Sequence, residues 1–199
     1  NKDAFFPKIW MLLLLMLLAS CEEELTQFET IAYAPCEDTN VVKDNNIISD
    51  FECQANVELE GVEQVRNPAE IQINKSKFVG KTIDPAGAWD ALIIDYGGSI
   101  DLSTHGVFKM KVRAEVAGNL LVKLEGGTST PIEKSNTVTG DNGWKEYEFN
   151  FSSEGGENHT KLVIFFNAGV ENGGADVYHI DDLFWDLSID PCEGISPDL

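Results

Sequence analysis

Four cysteines, Cys21, Cys36, Cys53 and Cys192, are the side chains with the most distinctive chemistry in this sequence. None stands at a metal-ligand spacing from another cysteine or from His105 or His159, so a zinc centre is not indicated. Cys21 differs from the rest in its setting. It ends the run Leu18-Ala19-Ser20-Cys21, behind the apolar stretch Ile9–Ser20 and the cations Lys2 and Lys8. A thiol there can be acylated on sulfur, and the small residues before it give a peptidase access to the backbone. The chain holds 34 Asp and Glu, but no spaced pair singles itself out for glycosidic hydrolysis. Gly-x-Ser-x-Gly, His-Glu-x-x-His and the phosphate-binding loop are all absent. The chemistry on offer is attachment and binding, and no catalytic constellation is legible.

The first 20 residues read as a signal peptide. A positive start followed by about 7–15 apolar residues is the secretory pattern, and the run is too short to span a membrane, which takes roughly 20. Its end resembles the lipobox of bacterial lipoproteins, with Cys21 as the lipidated residue. Glu22, Glu23 and Glu24 behind it resemble the surface-export signal of lipoproteins in the Bacteroidetes. These resemblances imply an outer-membrane lipoprotein exposed at the cell surface, anchored by acyl chains without spanning.

The formal charge is −20. Phosphate binding needs basic patches, so nucleic acid is excluded as a partner, and polyanionic glycans are disfavoured. Neutral ligands, or cations such as Ca²⁺, suit the charge better.

Residues 21–45 are polar and acidic, the texture of a tether. From Asn46 to residue 189 short alternating runs are separated by Gly, Asn, Asp and Ser clusters, which predicts an all-β sandwich. In Val107–Ala114, Phe108, Met110, Val112 and Ala114 face one way and Lys109, Lys111 and Arg113 the other. Leu120–Glu125 and Glu146–Phe151 alternate likewise. Ala91–Tyr96, Leu162–Asn167 and Val177–Leu187 are more apolar and are predicted to be central strands covered on both faces.

Pro35-Cys36-Glu37-Asp38 and Pro191-Cys192-Glu193-Gly194 repeat about one domain apart. Residues 190–199 therefore read as a linker or the start of a second module. On that reading a disulfide joins Cys36 to Cys53. Pairing of Cys192 with Cys36 or Cys53, or three reduced thiols, are the alternatives, and export favours oxidation.

An ordered set of residues carries a family likeness: Asp50-Phe51-Glu52, Asn67-Pro68, Asn74-Lys75-Ser76, Ala88-Trp89, Ile100-Asp101-Leu102, Gly143-Trp144-Lys145-Glu146 and Tyr178-His179-Ile180-Asp181-Asp182. Over roughly residues 46–188 it resembles the galactose-binding-like carbohydrate-binding modules found in surface lipoproteins and glycan-degrading enzymes of flavobacteria. The resemblance implies a two-sheet antiparallel jelly-roll sandwich, a polysaccharide ligand such as a β-glucan, frequently a structural Ca²⁺, and no catalysis. The partners implied are a glycan importer or hydrolases of the same system. The alternatives are an accessory module of a glycoside hydrolase, or a spacer or adhesin without a ligand.

Within that frame each candidate residue has a stated role. Pairing of the first and last strands would bring Asp50, Glu52, Asp181 and Asp182 together for Ca²⁺, which takes roughly six to eight oxygen ligands. Trp89, entering a strand after a turn, is the first choice for stacking on a sugar ring. Trp185 is a second, with inward and outward orientations both open, and Trp144 is read as core packing. Lys109, Lys111 and Arg113 would hydrogen-bond glycan hydroxyls if their row lines a concave sheet; otherwise they form a solubilising row paired with glutamates. His105 and His159, in turn-like stretches, are expected to be exposed.

Overall fold

Strict two-residue alternation can bury one face of a strand and wet the other, and wherever it breaks the chain must correct its phase or bury a polar group. Both happen here. A computed structural model describes residues 41–188. The chain divides into two units, Asn1–Ala32 and Tyr33–Leu199, and the described residues belong to the second.

Ten strands follow in order: β1 (Ile47–Ser49), β2 (Val62–Arg66), β3 (Phe78–Ile83), β4 (Leu92–Asp95), β5 (Val107–Ala114), β6 (Ala117–Glu125), β7 (Ile132–Thr139), β8 (Lys145–Asn150), β9 (Lys161–Phe165) and β10 (Val177–Asp186). They form two antiparallel sheets. The first runs β2-β3-β10-β5-β8, with β1 also paired to β10; the second runs β4-β9-β6-β7. The result is a jelly-roll sandwich, as the spacing of short strands predicts. Among the described residues no helix is long and apolar enough to cross a membrane.

The inner faces meet in one core. Phe108, Met110, Val112 and Ala114 of β5 join Tyr147 and Phe149 of β8 and Tyr178 and Ile180 of β10, facing Leu120, Val122 and Leu124 of β6 and Leu162 and Ile164 of β9. Burial of each large side chain stabilises by about 1.5–3 kcal/mol, so the alternating strands carry the fold.

β10 is the central strand of the first sheet. It pairs with β5 along its length, with β3 through Val177–Ile180, and with β1 through Leu183 and Phe184. Between Asp181 and Phe184 the register against Lys111 and Lys109 slips by one residue. Asp182 takes a left-handed conformation there, φ 47°. An extra residue in one strand reverses the facing of everything after it. Tyr178 and Ile180 point inward before the slip, and Leu183 and Trp185 point inward after it.

β4 departs from expectation. Residues 91–96 read as a central strand, but β4 is an edge paired only with β9, and Ile93 is 53 % exposed. High apolar content there serves an outer surface instead of a second buried layer.

Gly80 of β3 pairs with Ile180 and Gln64 on the core side. The Phe51 ring lies where a side chain would go: a Cβ would stand 2.3 Å from Phe51 and 2.8 Å from Val62. Overpacking of this kind costs about 1–3 kcal/mol, so Gly80→Ala should lower stability by that amount in urea denaturation. An unchanged midpoint would contradict this packing.

Candidate functional site

The outer face of the second sheet is built around β9. Leu162 and Ile164 enter the core, while Val163 and Phe165 are buried on the opposite face, outside the inter-sheet core. Register sets their neighbours. Ile93 of β4 and Lys123 of β6 flank Val163, and Leu121 of β6 flanks Phe165. Beyond them Asp95, Lys161 and Glu125 form a row, in which Lys161 pairs with Asp95 at 3.4 Å and Lys123 reaches Glu125 at 2.9 Å. The face is thus an apolar strip ending in internally compensated charge.

Trp89, in the β3–β4 connection, stands over this strip. Its ring meets Phe165 edge-on, with centroids 6.0 Å apart and planes at 83°, yet it stays 66 % exposed. Edge-to-face contact is a favoured aromatic geometry, so the ring is held by its edge while a face remains open. Gly169 lies beneath it, and the Gly169 N–H donates to the Ala88 carbonyl at 2.8 Å. Val170 beside it is 46 % exposed. Clustered exposed apolar groups of this kind mark interaction surfaces.

The β3–β4 loop that carries that tryptophan is clamped to the β9–β10 loop. The Asp84 N–H donates to the Asp176 carbonyl at 2.8 Å. The Asn172 carboxamide donates to the side chains of both Asp84 and Asp176. Asp90 accepts the Gly87 N–H at 3.0 Å and closes the turn before Trp89. Burial, reinforced by the charges of Asp176 and Asp90 and opposed by the Asn172 hydrogen bond, raises the pKa of Asp84 to about 6.

The other sequence candidates lie elsewhere. Trp185 is not a surface residue: the slip in β10 turns it into the core, 6 % exposed, against Phe108 and Phe151, with its indole N–H on the Tyr96 hydroxyl at 2.9 Å. Lys109, Lys111 and Arg113 occupy the outer face of the first sheet, across the sandwich from Trp89, and cannot share a site with it. Lys109 pairs with Asp186 at 2.8 Å and with Glu148 at 3.7 Å, and Lys111 with Asp182. That is the paired, solubilising reading of the row for these two lysines. Arg113 is 9 % exposed and makes no ion pair among the described residues. Alternation shows which residues share a face, but not which face a ligand uses.

The four acids do not assemble into one ligand set, although β1 and β10 do pair. Asp50 Oδ1 accepts the N–H groups of Glu52, Cys53 and Gln54 at 2.9, 2.8 and 2.7 Å, holding a turn. Glu52 accepts the N–H groups of Lys77 and Phe78 and ties that turn to the start of β3. Asp182 is neutralised by Lys111. Of the four, Asp181 alone has a buried carboxylate oxygen without a donor, Oδ2. Burial, and then the Asp182 charge, raise its pKa to about 7. Among the described residues no group of three His, Cys, Asp or Glu is placed to hold a metal. Of the acids expected to hold calcium, Asp50 and Glu52 thus accept backbone N–H groups and Asp182 pairs with a lysine.

Cys53 is disulfide-bonded. Its partner, along with Cys21, Cys36 and Cys192, lies outside the described residues, as do the signal peptide and the repeat at Pro191. His159, expected at the surface, is fully buried. Trp144 is buried as expected but not in the inter-sheet core. Its indole N–H donates to Asn67 Oδ1 at 3.1 Å, and Asn67 bonds Asn74 at 3.2 Å and the Ser76 carbonyl at 2.8 Å. This network covers part of the first sheet's outer face. Asn67-Pro68 and Asn74-Lys75-Ser76 were its only sequence signal. A cavity of about 230 Å³ between β1 and β2, lined by Phe51, Val57, Leu59 and Val62, is remote from Trp89's sheet.

No family model and no curated protein matches the chain. Solved structures do. An exo-β-agarase is similar at TM-score 0.52 and 7 % identity, over 73 % of this chain and 24 % of the agarase, so the chain spans about a quarter of that enzyme. A family 29 carbohydrate-binding module gives 0.46 and 12 % identity over 73 % of this chain and 96 % of the module. The family 11 carbohydrate-binding module of a cellulosomal cellulase of Clostridium thermocellum gives 0.46 and 12 % over 75 % and 98 %. At 7 % identity the agarase likeness speaks to the sandwich fold.

Asp84 gives the clamp a pH signature. Its folded pKa near 6 lies above the ordinary value of 3.8, so between these pH values the folded state holds more proton than the unfolded state. Stability then falls as pH rises through that window. Asp84→Asn, which keeps an acceptor for Asn172, should raise stability at pH 7.5 by up to about 3 kcal/mol and change it little at pH 4. Equal effects at both pH values in chemical denaturation would contradict the assignment.

Proposed function

We propose that this domain binds polysaccharide without catalysis, on the outer face of the second sheet. One observation carries the reading: Trp89 is anchored by its edge on Phe165 while two-thirds of its surface faces solvent beside Ile93 and Val170. A domain gains little for its own stability from a tryptophan held mostly open, because most of the apolar surface that would stabilise it stays wet. A pyranose ring offers a C–H-rich face that covers such an indole, while its hydroxyls are met at the margin by Lys123, Glu125, Lys161 and Asp95.

The finer reading follows from charge. The charged groups on this face pair among themselves, and the chain's charge of −20 repels polyanions at long range. A neutral chain such as a β-glucan fits both facts. An open strip, unlike a closed pocket, suits an extended polymer. With lipidation at Cys21 the domain would hold such a polymer at the outer-membrane surface, for hydrolases or an importer to take over.

Affinity electrophoresis through gels containing neutral and acidic polysaccharides tests this. At least one neutral glucan should retard the protein, and Trp89→Ala should abolish that retardation. The same variant should stay folded and lose no more than about 0.5–1.5 kcal/mol in urea denaturation, the worth of its edge contact with Phe165. Retardation that survives Trp89→Ala, or none by any neutral glycan, would overturn the proposal.

A further inference from the structure

The first sheet carries a feature that the glycan strip does not use. Lys81 of β3, His179 of β10 and Arg113 of β5 lie directly opposite one another across three adjacent strands. Each is flanked in its strand by core-facing positions, Gly80 and Thr82, Tyr178 and Ile180, Val112 and Ala114, so all three project from the outer face. Paired strands lie about 4.8 Å apart, which sets three nitrogen-bearing side chains side by side. Burial, and then the charges of Arg113 and Lys81, push the pKa of His179 down, a further sign that the cations stand close to it.

Like charges placed directly opposite in a sheet are destabilising, and this chain has carboxylates to spare, 34 against 14 Lys and Arg. Lys109, Lys111, Lys123, Lys134, Lys145 and Lys161 each find one. Among the described residues Lys81 and Arg113 do not, nor do Lys43, Arg66 and Lys75. Glu63 faces Lys81 across β2 and Glu115 follows β5, yet neither forms an ion pair with the row among the described residues. Arg113 is also 91 % withdrawn from solvent by its 9 % exposure, and its Nε is buried without an acceptor. A buried guanidinium N–H without an acceptor is costly. A planar set of donors in that state matches the oxygens of a carboxylate or sulfate.

We infer that Lys81, His179 and Arg113 form a binding site for a single oxyanion group, a carboxylate or a sulfate, either free or carried on a sugar. Arg113 supplies the directed N–H donors, His179 a ring N–H, and Lys81 a mobile charge at the open edge. The chain's net negative charge does not forbid this. Screening confines long-range repulsion to about 8 Å at physiological salt, so a lone oxyanion in contact with the row is governed by its three nearest groups. The site lies on the sheet opposite Trp89 and stands whether or not the glycan strip binds.

Amide spectra of the purified ¹⁵N-labelled protein test it, titrated separately with sodium sulfate and sodium glucuronate. Sodium chloride at matched ionic strength and glucose serve as controls. Saturable shifts centred on Lys81, His179 and Arg113, absent with chloride and glucose, are expected. Arg113→Gln should weaken them at least tenfold. Should that nearly buried variant fail to fold, Lys81→Gln, at a partly exposed position, should weaken them at least threefold. Saturation by sulfate alone supports a free inorganic anion as the ligand; saturation by glucuronate supports an acidic sugar. Shifts no different from chloride, or saturation unchanged in the folded variants, would overturn the inference.

Discussion

The extra residue at Asp181–Asp182 in β10 is the constraint on which most of this sandwich depends. β10 has to face a continuous core while pairing with β5 on one side and with both β3 and β1 on the other. Strict alternation from Tyr178 would send Leu183 and Trp185 to the solvent side. The slip recovers both for the core, where Trp185 packs on Phe108 and Phe151. The same slip leaves two consecutive acids on the outer side. Asp182 goes to Lys111, and Asp181 is buried with one oxygen unsatisfied. Core integrity and the polar chemistry of the first sheet's outer face are therefore two consequences of one backbone irregularity.

The two outer faces have been put to different uses. On the first sheet, the loop that includes Asn67 and Asn74 ties itself to Trp144, and the lysines of β5 are consumed by carboxylates. On the second, no comparable network covers Phe165 and Val163 among the described residues; Trp89 and Ile93 remain open there. Rigidity comes from behind, through the Asp84–Asn172–Asp176 clamp and the Gly169–Ala88 bond. A ring held in place before a ligand arrives loses little freedom on binding, which is the benefit of preorganisation.

Much of the architecture was legible because burial imposes a period. β5, β6 and β8 were readable from Phe108, Leu120 and Tyr147 and their neighbours two residues on. The phase slip is also written in the sequence, as Tyr178 and Ile180 followed by Leu183 and Trp185, but a period-two reading smooths over it and does not decide between core and surface for Trp185. β7 and β2, edge strands with few buried side chains, carry little apolar signal. The acids were legible as a group only by assuming that strand pairing brings side chains together. Pairing positions backbones, and Asp50 then spends its carboxylate on three amides of its own turn. Trp89 was legible as the aromatic at a loop-to-strand junction. Its Phe165 support was not, since a contact between the β3–β4 loop and β9 has no local pattern.

A glycan bound on the second sheet would lie against Trp89 and Ile93. Intermolecular nuclear Overhauser effects between the protein and a neutral β-glucan hexasaccharide locate it directly. Contacts from sugar ring protons to the Trp89 indole and to the Ile93 and Val170 methyls are the result predicted here. Contacts confined to the first sheet, at Lys109, Lys111 or the edges of β10, would contradict it.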